Sequence, residues 1–184
     1  MAGFLFAMLA VLAAGLGARD QVLMARLAGR GSVLAIGLVC AALTTAAAGW
    51  AGHTIAPQIN GPTRSILVAM ALGFAAVELI FVRPGRKPLE PTQSLGALTV
   101  VLLAQQLTDA ARFTVFAIAA ASPVPWVAVA GGAIGSAATV LAGWLGGRDW
   151  EAQPLGRIRR GLGIALLLVT IYLAYPVLAA RFAA

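Results

Sequence analysis

Long apolar stretches alternate with short polar segments along the whole chain. Each stretch is near the roughly 20 residues that an α-helix needs to cross a bilayer, and there is room for about six. Their predicted limits are residues 2–27, 32–52, 65–82, 94–121, 126–146 and 161–180. The first helix is expected to continue through Arg19 and Asp20. The pattern therefore predicts an all-α integral membrane protein with six transmembrane helices.

The composition agrees with this class. Of the 184 residues, 61% are hydrophobic and 10% are charged, whereas soluble domains have about 25% charged residues. The net charge of +7 does not indicate a nucleic-acid partner, because the basic residues fall between the apolar stretches, as membrane topology signals do. Cys40 is the single cysteine, which excludes a disulfide framework. The absence of HExxH and GxSxG patterns argues against an enzyme.

The basic residues also predict an orientation. With the N-terminus outside, the outer segments hold only Arg64 and Arg181. The inner loops then hold Arg26, Arg30, Arg83, Arg86, Lys87, Arg148, Arg157, Arg159 and Arg160. The positive-inside rule therefore predicts that both termini lie outside, and a bacterial inner membrane is the expected location.

The two halves of the chain resemble each other. L-A-A-G-L-G-A-R-D-Q at 12–21 is echoed by L-A-Q-Q-L-T-D-A-A-R at 103–112, and A-G-W-A-G at 48–52 by A-G-W-L-G at 142–146. Three helices per half is an odd number, so the halves would have opposite orientations, as in many secondary transporters. We therefore expect two inverted three-helix repeats, residues 1–82 and 94–184, joined by a basic, proline-rich cytoplasmic linker, 83–93.

The fourth apolar stretch carries the most unusual residues. Helical geometry puts Gln105, Asp109 and Arg112 on one face, and charges inside a bilayer are expected to face a bundle interior or a water-filled cavity. If the halves meet, this face converges with the polar residues of the first helix. The candidate transport residues are Asp109, Gln106, Asp20, Gln105, Thr108 and Gln21, with Arg19 and Arg112 as charge partners.

Two interpretations of these residues remain open from the chemistry alone. Carboxylates, amides and a hydroxyl supply the oxygen ligands that a hard divalent cation prefers, with Asp109, Gln106 and Asp20 as the metal ligands. The two arginines beside two carboxylates fit a pair of buried structural ion pairs equally well. Elsewhere, Glu78 is expected at a membrane edge, paired with Arg83 or Arg86, or else to carry protons. His53 is expected in a loop at the surface.

At these residues the chain resembles the transmembrane protein 165 / Gdt-one family, which has two inverted three-helix repeats, each with a motif close to E-x-G-D-[KR]-[TS]-Q. Gly17, Arg19 and Gln21 match the first motif, and Asp109 matches the Asp of the second. The two motifs depart from the pattern at the positions of Gly15, Ala18, Asp20, Gln106, Thr108, Ala110 and Arg112. Only one motif carboxylate, Asp109, is therefore in place.

The resemblance implies exchange of Ca²⁺ or Mn²⁺ against protons, without a tightly bound cofactor. The expected partners are the lipid bilayer, the transported cation, protons and further copies of the chain. The leading hypothesis is thus a cation:proton antiporter with a degenerate site, in which Asp109 is the switching carboxylate. The alternatives are an exporter of another small solute that contacts Arg19 and Arg112, and a membrane scaffold that does not transport.

Overall fold

The computed structural model describes residues 2–82, 94–151 and 153–182, and the predicted linker 83–93 lies outside them. The described part is built from α-helices and one short 3₁₀ turn, Ala56–Gln58. The helices are α1 (Ala2–Gly15), α2 (Arg19–Arg26), α3 (Gly31–Ile55), α4 (Gly61–Phe81), α5 (Leu95–Leu107), α6 (Ala110–Ala121), α7 (Pro125–Glu151) and α8 (Leu155–Phe182).

Helices α3, α4, α7 and α8 are each long and apolar enough to cross a membrane. Helices α1 and α2 together meet the same test as one span bent by 67°, whereas α5 and α6 are shorter apolar helices. By length and composition, the described part of the chain is therefore all-α and has four or five helices able to span a bilayer. This agrees with the predicted class.

Two predicted helices are wrong as continuous elements. The first was expected to run unbroken through Arg19 and Asp20, but it ends at Gly15 and resumes at Arg19. Gly17 lies between the segments with φ of 67°, a left-handed conformation that glycine adopts without steric cost. The fourth was expected to run from 94 to 121, but it breaks at Asp109, where the side chain caps α6.

Several helix ends also differ from the sequence prediction. His53 lies in the last turns of α3 rather than in a loop, half-buried and edge-on to Trp126, with ring centroids 5.6 Å apart. The third apolar stretch begins at Gly61 because the Asn60 side chain accepts a hydrogen bond from the Thr63 N–H at 2.9 Å. Helix α8 begins at Leu155, so it includes arginines that were expected in the preceding loop.

The helices of the two halves interleave. Helix α1 packs on α7, α3 packs on α6 and α7, and α4 packs on α8. One apolar core joins Met24 of α2, Cys40 of α3, Leu102 of α5 and Val140 of α7. Outward-facing side chains are also apolar, and only 6% of the most apolar window of α8 is buried. Such a surface suits contact with lipid tails.

Glycines allow α1 and α7 to approach backbone to backbone. A Cβ added to Gly131 would overlap the Phe4 carbonyl, and one added to Gly135 would lie 2.7 Å from the Met8 carbonyl oxygen. These two glycines lie four residues apart on one face of α7, which is the small-xxx-small arrangement of close membrane helix pairs. The position of α1, and hence of the break that follows it, depends on this contact.

We expect Gly135→Val to destabilise the protein, because the added side chain must push α1 away from α7. Overpacking commonly costs about 1–3 kcal/mol, and the atom opposing it here is backbone. The matched control is Gly96→Val in α5, where an added Cβ meets nothing within 4 Å. Tryptophan fluorescence during thermal unfolding in detergent measures both variants, and equal unfolding temperatures would contradict the packing argument.

Candidate functional site

Asp109 and Arg112 form a buried pair at the start of α6. The Asp109 Oδ1 accepts a hydrogen bond from the Arg112 N–H at 2.8 Å and thus caps the helix. The Oδ2 lies 3.1 Å from the Arg112 Nη1. Both residues are only 3% exposed. Asp109 therefore has two tasks, since it satisfies a helix N-terminus and neutralises a guanidinium.

Asp20 is also buried and lies in the first turn of α2. Its Oδ1 accepts a hydrogen bond from the Gln21 N–H at 2.8 Å. Its Oδ2 accepts one at 3.0 Å from the Nε2 of Gln106, which is 86 residues away in sequence. The polar residues of the first and fourth apolar stretches therefore meet.

Thr44 of α3 connects the two carboxylate positions. Its Oγ1 accepts a hydrogen bond from the Arg112 Nε at 2.9 Å and lies 3.2 Å from the Gln106 Oε1. Asp20, Gln106, Thr44, Arg112 and Asp109 thus form a continuous buried chain of polar contacts. The single Thr44 proton has a second acceptor, the Cys40 carbonyl at 2.8 Å, so the hydroxyl can switch between two partners. We call these five residues the central cluster.

Gln21, which was expected at the transport site, instead closes the first break. Its Oε1 accepts a hydrogen bond from the Gly17 N–H at 2.6 Å, and its Nε2 donates to the Thr139 carbonyl of α7 at 3.0 Å. A Cβ on Gly143 would overlap the Gln21 carbonyl, so α7 approaches α2 closely here. Gln21 therefore ties the bent segment to α7.

The remaining predicted residues lie at the rim. Arg19 is half-buried, and its Nη2 donates to the Thr108 Oγ1 at 3.0 Å, which links the two breaks directly. Thr108 is exposed. Gln105 is half-buried, and its Oε1 has no hydrogen-bond partner among the described residues. The expected face of Gln105, Asp109 and Arg112 does not form, because the helix breaks before Asp109.

Arg159 is a functional candidate that the sequence analysis missed. It was assigned to a cytoplasmic loop, yet it is 2% exposed in α8. Its Nη2 lies 2.5 Å from the Glu78 Oε2, and its Nη1 donates to the Leu16 carbonyl at 3.1 Å. The sequence prediction paired Glu78 with Arg83 or Arg86, which lie outside the described residues, and the partner that the structure gives is Arg159.

The charges form one electrostatic group. Asp20, Glu78 and Asp109, half of the six acidic residues in the chain, are all buried. The charges of Asp20, Glu78 and Arg112 all act on Asp109, and those of Arg159 and Arg19 act on Glu78. Three guanidinium groups, those of Arg19, Arg112 and Arg159, stand against these three carboxylates, and opposite charges attract at close range. The group is therefore close to neutral although each member is ionisable.

The donors suit a cation only in part. Asp20, Asp109, Gln106 and Thr44 supply the oxygens that hard cations bind. Within residues 2–82, 94–151 and 153–182, however, no three His, Cys, Asp or Glu side chains come together as a metal-binding group. Gly15 is at the motif position where the resemblance expects a glutamate, and an added Cβ would lie 2.7 Å from Thr139 Cγ2, so Thr139 would have to shift to admit a side chain.

Comparisons with known proteins add no relative. A scan of protein-family models, a search of curated proteins and a search of solved structures each give no match. The resemblance to the transmembrane protein 165 / Gdt-one family therefore remains a prediction from the motifs.

Replacing either partner of the Glu78–Arg159 pair should destabilise the protein. Removing one member of a buried ion pair commonly costs about 3–5 kcal/mol. Arg159→Gln should cost more than Glu78→Gln, because Arg159 also binds the carbonyls of Ala14 and Leu16. Thermal unfolding of both single variants and the double variant measures this, with the double variant less destabilised than the sum of the singles.

The control is Arg160→Gln, the same change at the exposed neighbour in α8, which should leave the unfolding temperature unchanged. Strict additivity of the Glu78 and Arg159 effects would show that the pair does not couple.

Proposed function

We propose that the protein is a secondary membrane transporter that exchanges a divalent cation, Ca²⁺ or Mn²⁺, against protons at the central cluster. The observation that carries the proposal is the pair of broken helices whose second segments each begin beside a buried carboxylate, Asp20 and Asp109. Broken membrane helices with charged residues at the break are typical of transporter binding sites. Ionisable groups inside a membrane are also costly, so they are rare there, and those that occur are paired with one another or mark a functional site.

We further propose six spans arranged as two inverted repeats. In this arrangement α5 and α6 together form one broken span, the fourth along the chain, in addition to the five counted above. Each half would then consist of two short helices followed by two long ones. The contacts support this: α2 packs on α7 as α6 packs on α3, and α3 pairs with α7 as α4 pairs with α8. The polar contacts agree, since Gln21 reaches Thr139 of α7 and Arg112 reaches Thr44 of α3.

Helix lengths support a site inside the membrane. Helices α1 and α5, with 14 and 13 residues, are each about 20 Å long at 1.5 Å per residue. The hydrocarbon core of a bilayer is about 30 Å thick. If the two helices enter from opposite sides, as odd-numbered repeats require, both breaks lie within the hydrocarbon. We also propose that both termini lie outside, as the positive-inside rule predicts, and that the setting is a bacterial inner membrane.

In the proposed mechanism the two carboxylates bind the cation and protons in turn. When the site faces one side, Asp109 and Asp20 hold the cation with help from the Gln106 and Thr44 oxygens. When it faces the other side, protons replace the cation on these carboxylates and compensate their charge during the transition. The two halves would rock about the bent segments, which the α1–α2 bend and the break before Asp109 allow.

A second candidate function is a non-transporting scaffold. The observation that favours it is the complete engagement of Asp109, whose two oxygens are both occupied by Arg112. In that case the cluster would only lock α2, α3, α5 and α6 together. The Asp109→Asn variant distinguishes the two functions. If the cluster is only a lock, the substitution changes the unfolding temperature, and neither the variant nor the wild type gives a solute flux.

Purified protein in liposomes with an internal pH dye tests the proposal. External Mn²⁺ or Ca²⁺ should enter in exchange for protons, so the lumen should become more alkaline. Asp109→Asn should slow this by at least about tenfold, since the amide cannot exchange a proton. Asparagine is also a good helix cap, which maintains the α6 N-terminus.

The matched control is Asp149→Asn, the same substitution at an exposed position near the end of α7, which should exchange at the wild-type rate. Wild-type exchange by Asp109→Asn would contradict the role of this carboxylate. A folded wild-type protein without any cation-driven proton flux would overturn the antiporter and favour the scaffold.

A further inference from the structure

The Arg112 guanidinium lies where a bound cation would be expected. Its Nη1 faces the Asp109 carboxylate at 3.1 Å and its Nε faces the Thr44 hydroxyl at 2.9 Å. The side chain is almost completely buried. The Nη2 is buried as well and has no hydrogen-bond partner among the described residues. The guanidinium thus uses only part of its donor capacity, which is unusual for a buried polar group.

A free cation at the position of the guanidinium would have the Asp109 and Thr44 oxygens beside it. Beyond Thr44 lies the Gln106 Oε1, and the Gln106 amide holds the Asp20 carboxylate. Two carboxylates, an amide oxygen and a hydroxyl are ligands that Ca²⁺ and Mn²⁺ prefer. In this structure the positive charge beside the Asp109 and Thr44 oxygens is supplied by the Arg112 guanidinium.

The other half of the chain provides an internal comparison. In the repeated segments 12–21 and 103–112, Gln21 occupies the position that corresponds to Arg112. Both side chains extend from the start of a second segment to a long helix of the opposite half. The neutral Gln21 performs this contact without a charge. The arginine in the second half is therefore not required for the helix contact itself.

We infer that Arg112 is a tethered cation that occupies the cation position of the central cluster and competes with the transported ion for Asp109. The inference rests on the proposed function and refines it. A divalent ion that entered while Arg112 remained in place would add two positive charges beside a third, which like-charge repulsion opposes. Cation entry therefore requires the guanidinium to leave Asp109, and this competition weakens cation affinity.

Arg112→Gln tests the inference because it places the residue of the first repeat in the second. We expect it to bind Mn²⁺ at least about tenfold more tightly than the wild type, since hard-cation affinity follows the net ligand charge. Mn²⁺ titration in detergent, followed by electron paramagnetic resonance of the free ion, gives the dissociation constant. Adding Asp109→Asn to the variant should abolish the gain, and the charge-conserving Arg112→Lys should bind as weakly as the wild type.

A second variant covers the case in which Arg112→Gln does not fold. Arg112→Ala leaves space for a free cation, so Mn²⁺ and, separately, millimolar methylguanidinium should each raise its unfolding temperature. Neither should do so for Asp109→Asn/Arg112→Ala. If methylguanidinium is bound, it should also compete with Mn²⁺.

The inference is overturned if folded Arg112→Gln binds Mn²⁺ no more tightly than the wild type, or if neither cation stabilises Arg112→Ala. These measurements record binding at equilibrium, whereas the proposed function is tested by flux. If Arg112→Gln binds Mn²⁺ more tightly but the wild-type protein shows no cation:proton exchange, the tethered cation is supported and the antiporter is rejected. If the wild-type protein exchanges the cation for protons but Arg112→Gln binds Mn²⁺ no more tightly, the antiporter is supported and the tethered cation is rejected.

Discussion

A broken helix leaves backbone N–H and C=O groups that an apolar environment cannot satisfy, and this constraint explains several of the buried polar residues. At the first break, Gln21 accepts from the Gly17 N–H, while Arg159 binds the Ala14 and Leu16 carbonyls. At the second, Asp109 accepts from the Arg112 N–H. The charges also follow the helix dipoles, with carboxylates where second segments begin and a guanidinium where α1 ends. Buried charge is thus tolerated because it completes the backbone.

The same contacts leave little difference between a structural lock and a binding site. Asp109 stabilises α6 and also carries the charge that a cation or proton would require. Thr44 satisfies Arg112, yet its hydroxyl can turn between the Cys40 carbonyl and Gln106. A cluster that serves only as a lock would be expected to leave no buried group unpaired. Here the Arg112 Nη2 lacks a partner among the described residues, so a rearrangement could satisfy a group that the present conformation does not.

The sequence was sufficient for the apolar helices and for the meeting of the first and fourth stretches, because both follow from periodicity and from the repeated segments. It was insufficient where a local side chain competes with helix continuation. Asp109 fits a helical face by spacing, but its carboxylate caps the backbone instead, which is a choice that short polar side chains often make. Gly15 and Gly17 gave a signal for the first break. The Glu78–Arg159 pair joins residues 81 positions apart, and no local pattern could show it, since such pairing depends on how α4 and α8 pack.

The interleaving of the halves has a consequence for biosynthesis. Asp20 obtains its Gln106 partner from a segment made 86 residues later, and Glu78 obtains Arg159 only when α8 is made. The ribosome therefore delivers acidic residues to the membrane well before the groups that satisfy them exist. Until then the early helices must either remain near the interface or stay within the insertion machinery. Assembly of these contacts can therefore be completed only after α8 has been made, and a chain that terminates before α8 would leave the Glu78 carboxylate without Arg159.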